Sequence, residues 1–203
     1  MILDFFIAAV IGYFLGSIPF GLLLSKLAGK GDIREIGSGN IGATNVLRTG
    51  NKWLAFATLL LDAGKAAAAV FIVGAIFADL NYAYLASAIA GMFAFLGHLF
   101  PVWLRFKGGK GVATYIGFLL AINLFIGLVF VAMWLFIAYS FRFSSLAALS
   151  ASAFAPAFAF IFIEGINLEL TAITFIMSVL IFYKHKENIK RLGKGTEPKI
   201  GEN

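Results

Sequence analysis

Between Gly111 and Arg142 the chain reads GVATYIGFLLAINLFIGLVFVAMWLFIAYSFR, about thirty residues of apolar sequence interrupted only by Asn123 and Gly127. A bilayer core about 30 Å thick takes roughly 20 apolar residues per helical span. This run therefore forms either one long tilted helix or two short segments with a turn near Asn123–Gly127. The rest of the chain offers further spans near 3–25, 53–77, 82–100, 146–163 and 168–184. Charge placement chooses between the two. Lys26, Lys30, Arg34, Arg48 and Lys52 form one basic group, Arg105, Lys107 and Lys110 a second, Arg142 a third, and Lys184, Lys186, Lys190, Arg191, Lys194 and Lys199 a fourth. Only Lys65 falls elsewhere, and the segments around Asp79–Asn81 and Glu164–Glu169 carry acid and no base. The positive-inside rule puts the four groups in the cytoplasm and those two loops outside. Arg142 reaches the cytoplasm only if the chain turns within the quoted run. Irregular backbone at membrane depth must be buried in protein or face a water-filled cavity. The expectation is an all-α integral membrane protein of seven transmembrane helical segments, some short or re-entrant. Its N-terminus is outside and its C-terminus cytoplasmic. A single tilted helix would give six spans and an external C-terminus.

Composition agrees. The 203 residues are 61% hydrophobic and 13% charged, about half the charge of a soluble domain. That leaves room for a single membrane-embedded domain, residues 1–203, and no separate soluble one. Absence of cysteine excludes disulfides and thiol chemistry, and two scattered histidines argue against a metal site. The net charge of +6 lies in short loops beside apolar spans, which favours anionic lipid or a phosphorylated substrate over nucleic acid. The first apolar run carries Asp4, lacks early Lys or Arg, and reads as an uncleaved helix.

Four polar clusters and one intramembrane pair stand out. Gly37-Ser38-Gly39-Asn40-Ile41-Gly42-Ala43-Thr44-Asn45, continuing to Arg48, combines glycines with hydroxyls and amides. Such a loop lets backbone N–H groups approach an anion; a flexible interhelical loop would also carry these glycines. Gly97-His98 through Pro101 to Phe106-Lys107-Gly108-Gly109-Lys110-Gly111 resembles a P-loop, but Gly rather than Ser or Thr follows the lysine. A basic membrane anchor needs no three glycines around its lysine, so an anion site is expected there. Arg142-Phe143-Ser144-Ser145 reads as a polar corner or helix cap. In the basic tail, His185, Asn188 and Arg191 recur every three residues on roughly one helical side. Asp62 and Lys65, one turn apart inside a span, read as a mutually compensating pair lining the bundle interior. Several cationic, glycine-rich clusters on one face suggest a lipid-handling enzyme with phosphorylated substrates. An anion transporter or a regulatory subunit are the rival classes, but basic-free outer loops and elaborate anion loops argue against them.

In order and separation these clusters closely resemble the motifs of the bacterial acyl-phosphate:glycerol-3-phosphate acyltransferases, the PlsY family. The resemblance runs through Ser38-Gly39-Asn40-x-Gly42-x-Thr44-Asn45-x-x-Arg48, through His98 to Ala113, and through His185-x-x-Asn188-Ile189-x-Arg191-Leu192 to Glu197. Asp62-x-x-Lys65 is also similar, with Ala66 where the family often has glycine. The fifth residues after His98 and His185 are Trp103 and Lys190, so the HxxxxD acyltransferases do not fit; four scattered aspartates do not make a CDP-alcohol phosphotransferase. The resemblance implies acyl transfer from acyl phosphate to the 1-hydroxyl of glycerol 3-phosphate. The products are lysophosphatidic acid and inorganic phosphate, made at the bacterial inner membrane with the site facing the cytoplasm. No metal or cofactor is expected, and the arrangement is compatible with a monomer.

On this basis the candidate catalytic residues are Ser38, His98, Lys110, Ser144 and His185. The candidate substrate- and phosphate-binding residues are Gly39, Asn40, Gly42, Thr44, Asn45, Arg48, Lys107, Gly108, Gly109, Arg142, Ser145, Asn188 and Arg191. Three acceptors compete for the hydroxyl proton: His98, His185 or an oxygen of a substrate phosphate. An acyl-serine on Ser38 or Ser144 would need an activating His–carboxylate pair, which the sequence does not reveal.

Overall fold

The computed structural model describes residues 1–162 and 168–201. All regular structure among them is helical. The chain divides into two compact units, Met1–Ile122 and Asn123–Asn203, considered separately below.

In the first unit the leading apolar run is two helices, α1 (Ile2–Gly16) and α2 (Phe20–Leu27). The span expected near 3–25 is present but divided just before Pro19, which has no N–H to donate. Ser17 at the break donates its hydroxyl to Tyr13 O at 2.7 Å. Together the pair is still apolar and long enough to cross a membrane. A 3-10 turn at Ile33–Glu35 and the short α3 (Ala43–Leu47) follow. Next come α4 (Lys52–Ile76), α5 (Ala83–Leu99) and α6 (Val112–Ile122). Asn51 caps α4 by accepting from Leu54 N at 3.0 Å.

α1 packs along α5, and α4 packs against α1, α5 and α6. Lipid tails are as apolar as leucine, so close van der Waals approach between small residues must hold such helices together. Gly12 and Gly16 of α1 lie directly against the backbone of Ala90 and Ala94 of α5, where any Cβ would overlap a carbonyl. The outward surface is apolar instead, with Leu27, Trp53 and Phe71 exposed.

The second unit contains α7 (Leu124–Phe141), α8 (Ser144–Phe162), α9 (Leu168–Lys184) and α10 (Lys186–Gly193). α8 packs on α7 and α9. Its fully buried Ala147, Ala151, Ala155 and Ala159 recur every four residues, again a ridge of small side chains. α10 bends away from α9 by 61° at His185.

The long apolar run is two helices, α6 and α7, and not one. The quoted run is broken at Asn123, whose extended backbone (φ −151°) and side-chain acceptor for Ile126 N cap the start of α7. Gly127 lies inside α7 and interrupts nothing. Among the described residues five stretches are long and apolar enough to span: 2–27, 52–76, 83–104, 124–141 and 144–162; the bent pair α9–α10 makes a sixth if it is one span, and α6 is shorter. The outer loop anticipated around Glu164 falls mostly outside the described residues.

Candidate functional site

In the first unit two loops carry the expected residues. The loop before α3 is organised by Asn45, which is almost fully buried. Its amide nitrogen donates to Ile33 O (2.7 Å) and Asn40 O (2.8 Å); its amide oxygen accepts from Ser38 N (3.0 Å) and Ser38 Oγ (3.2 Å). All four hydrogen-bonding positions of the side chain are thus used within the loop. Asn45, one of the candidate phosphate residues, shapes the loop, while Ser38, Gly39, Thr44 and Arg48 are exposed around it. Asn40 accepts from Ile41 N at 2.9 Å, and Gly42 is the backbone N-cap of α3. Gly37 adopts φ +55°, and a Cβ there would strike the Arg48 side chain, so glycine gives the guanidinium its place. Upstream, the Arg34 guanidinium beside Asp32 holds its carboxyl at about 2.

The second loop leaves the end of α5. Gly109 N donates to His98 O (3.0 Å), Gly108 N to Leu99 O (3.2 Å), and Phe106 N to Pro101 O (3.0 Å). Tyr13 Oη fastens the Phe100 carbonyl at 2.8 Å. These bonds pay the polar cost of irregular backbone near lipid. Lys107 is exposed and Lys110 half-buried. Gly108 and Gly109 press on His98, where a methyl on Gly109 would overlap imidazole Nε2. Gly109→Ala should therefore displace the loop and lower turnover roughly 10–100-fold, the cost of misplacing a binding group by about an ångström. Steady-state kinetics beside a thermal unfolding curve of the same protein checks this.

Beneath that loop lies a buried network that spacing alone reveals only in part. Lys65 Nζ reaches Asp62 Oδ1 at 2.8 Å, Ile18 O at 2.9 Å and His98 Nδ1 at 2.9 Å. The Asp62–Lys65 pair is as the sequence suggests. Its third partner, His98, lies on another helix, and His98 Nδ1 is 3.5 Å from Asp62 Oδ1. The His–carboxylate neighbour missing from the sequence reading therefore exists. It sits under His98, while Ser38 bonds Asn45.

In the second unit the organiser is Glu197, a motif residue left out of the candidate site. Its Oε1 accepts from Ser145 Oγ and Asn188 Nδ2, each at 2.6 Å, and its Oε2 accepts from Arg191 Nε at 2.7 Å. Ser145, Asn188 and Arg191, expected on phosphate, thus converge on a carboxylate that draws the start of α8, α10 and the tail together. Burial raises the Glu197 carboxyl, but the hydrogen bonds from Ser145, Asn188 and Arg191 and the guanidinium charge outweigh it and hold it below the usual range. Arg142, in a left-handed conformation with φ 62°, exchanges bonds with Ile200: its carbonyl accepts from Ile200 N and its guanidinium donates to Ile200 O. Ser144 is half-buried at the start of α8. His185, buried at the α9–α10 bend, has Nδ1 2.9 Å from Ile181 O. A carbonyl can only accept, so Nδ1 carries the proton and Nε2 is the basic nitrogen of the neutral ring.

The sequence profile of glycerol-3-phosphate acyltransferases matches residues 6–195 of the chain. The chain belongs to the glycerol-3-phosphate acyltransferase family. The glycerol-3-phosphate acyltransferase of Mesorhizobium japonicum is 56% identical over 195 residues, covering 96% of this chain and 95% of that protein. That of Rhizobium etli is 58% identical over 194 residues, covering 96% and 90%. The solved structure of PlsY (YgiH), an integral membrane glycerol 3-phosphate acyltransferase in its glycerol 3-phosphate form, superposes with a TM-score of 0.88 at 36% identity. That match covers 97% of this chain and 96% of the other. Its lysophosphatidic acid form gives 0.85 at 35% identity. This member of the family is an integral membrane acyltransferase of phospholipid biosynthesis, as the motifs imply, and the transporter and regulatory-subunit readings lose their ground.

Proposed function

We propose that this glycerol-3-phosphate acyltransferase takes its acyl group from acyl phosphate and delivers it to the 1-hydroxyl of glycerol 3-phosphate. The observation that carries the reading is the pair of glycine-bracketed cationic loops on the first unit, one with Arg48, the other with Lys107 and Lys110. Two phosphates must be held if the donor is itself a phosphate. The hydroxyl oxygen attacks the acyl carbonyl carbon, and the bond from that carbon to the phosphate oxygen breaks. Inorganic phosphate leaves with the electron pair, and lysophosphatidic acid remains. A mixed anhydride already has a good leaving group, so positioning and charge stabilisation carry most of the catalysis. Ser38, Gly39, Asn40, Gly42, Thr44 and Lys110 are assigned to phosphate and oxyanion contacts. Arg48, Lys107, Gly108, Gly109, Arg142, Ser144 and His185 are assigned mainly to glycerol 3-phosphate. Asn45, Ser145, Asn188 and Arg191 act by holding the backbone and side chains around them. The hydroxyl proton passes to the basic Nε2 of His185 or to a substrate phosphate oxygen.

The proposal includes one functional domain over residues 1–203 and seven helical segments, α6 among them. The N-terminus lies outside, and the site opens to the cytoplasm at the inner membrane. The basic residues at the ends of α2, α5, α7 and α9 support this orientation. Purified protein in lipid, given labelled glycerol 3-phosphate, should form lysophosphatidic acid from palmitoyl phosphate. It should form none from acyl-CoA or acyl carrier protein. Product from either of those donors would refute the proposal.

A further inference from the structure

The Asp62–Lys65–His98 network lies within the helices and is not itself assigned to either phosphate. Asp62, Lys65 and His98 are 1%, 4% and 4% exposed. An ammonium has three N–H donors and no acceptor. Lys65 has three partners: the Ile18 carbonyl beside the Pro19 break, Asp62 Oδ1 and His98 Nδ1, all within 2.9 Å. The first two can only accept. The third N–H must therefore point at His98 Nδ1, which has to offer a lone pair. Were Nδ1 protonated, two N–H groups would face each other, and the alternative acceptor, Asp62 Oδ1, is 3.5 Å from that nitrogen. The proton of the neutral ring is left on Nε2, the atom against which Gly109 is packed.

We infer that Lys65 is a positioning residue that fixes His98 as a hydrogen-bond donor, from Nε2, at the glycine–lysine loop. His98 then adds an N–H to a loop proposed to hold an anion and cannot act as the general base in this state. With that assignment His98 drops out of the three candidate acceptors for the hydroxyl proton. The opposite tautomer would turn a lone pair toward the loop and repel a phosphate oxygen. Lys65 thus couples the break between α1 and α2, the middle of α4 and the end of α5 to the electrostatics of the loop. The inference rests on the acyltransferase reading only for what the loop binds; the tautomer itself does not depend on it.

The chain has only two histidines, and His185, bonded through Nδ1–H to a carbonyl, is expected in the other tautomer. Full-length protein labelled with ¹⁵N-histidine, in lipid at a pH of about 8 where imidazole is ordinarily neutral, shows both rings side by side; His185→Gln assigns them. The expected result is a protonated Nε2 on His98, retained in Lys65→Arg and shifted toward Nδ1 protonation in Lys65→Met. Protonation of His98 at Nδ1 in the wild type overturns the inference, and this holds if Lys65→Met fails to fold. An unchanged tautomer in a folded Lys65→Met overturns it too. A second measurement uses His98→Gln, which keeps an N–H donor near the Nε2 position. It should lower turnover by less than about tenfold, whereas a loss in the range of about 10²–10⁴ expected for a general base would overturn the donor role. Wild-type protein that makes no product from palmitoyl phosphate would sink the donor substrate proposed above and leave the ring-nitrogen result standing.

Discussion

Asp62→Ala should destabilise the protein by about 3–5 kcal/mol, because it strands the Lys65 ammonium without a counter-charge inside the helix bundle. The carboxylate is 2.8 Å from Lys65 Nζ, and both side chains are 2% exposed. Removing one partner of such a pair costs more than removing both, since the double variant buries no unpaired charge. Asp62→Ala/Lys65→Met should accordingly be more stable than Asp62→Ala, although the hydrogen bonds that Lys65 donates to Ile18 O and His98 Nδ1 are then also missing. Thermal unfolding in a fixed detergent orders the three proteins. A double variant less stable than Asp62→Ala would show that Lys65 acts chiefly by tying down Ile18 and His98, not by pairing with Asp62.

Glu197→Ala should be the most damaging change in the second unit. Its carboxylate, 6% exposed, receives three donors at 2.6 to 2.7 Å. Without it Ser145, Asn188 and Arg191 lose a common acceptor, at an expected cost of about 1.5–3 kcal/mol. Turnover should fall with it, because Ser144 and His185 belong to the segments that Glu197 joins. The same carboxylate predicts a pH dependence with a definite sign. Its folded pKa lies below the ordinary glutamate value of 4.5, so the unfolded chain binds more protons across that interval. Its contribution is complete above about 4.5 and is lost as pH falls through the folded value. Between these limits Glu197→Gln should show a flatter stability profile than wild type. Parallel profiles for the two proteins would refute the assignment.

Much of this was legible from one dimension. Apolar runs and basic residues gave the spans to within about two residues at most ends, because burying backbone in lipid leaves few options beyond helices. Asn123 was legible as a candidate break, while Gly127 beside it was a false signal: a buried glycine is tolerated inside a helix, whereas asparagine can accept from the next turn. Pro19 is as plain a signal in the sequence, since its missing N–H marks the break between α1 and α2. The Asp62–Lys65 pair followed from its one-turn spacing and the cost of charge within a span.

The sequence by itself determined the membrane class, the family and the identity of the polar clusters, since each depends on composition or on residues close along the chain. Only the tertiary structure decided which polar atoms meet. That Lys65 reaches His98, that Asn45 spends its amide on Ile33 and Asn40, and that Ser145, Asn188 and Arg191 share Glu197 are contacts between separate elements. Hydrogen-bond capacity is fixed by residue type, but the partner that fills it is set by packing. Two histidines that look alike in sequence therefore become different groups, one with a lysine ammonium at Nδ1 and one with a carbonyl.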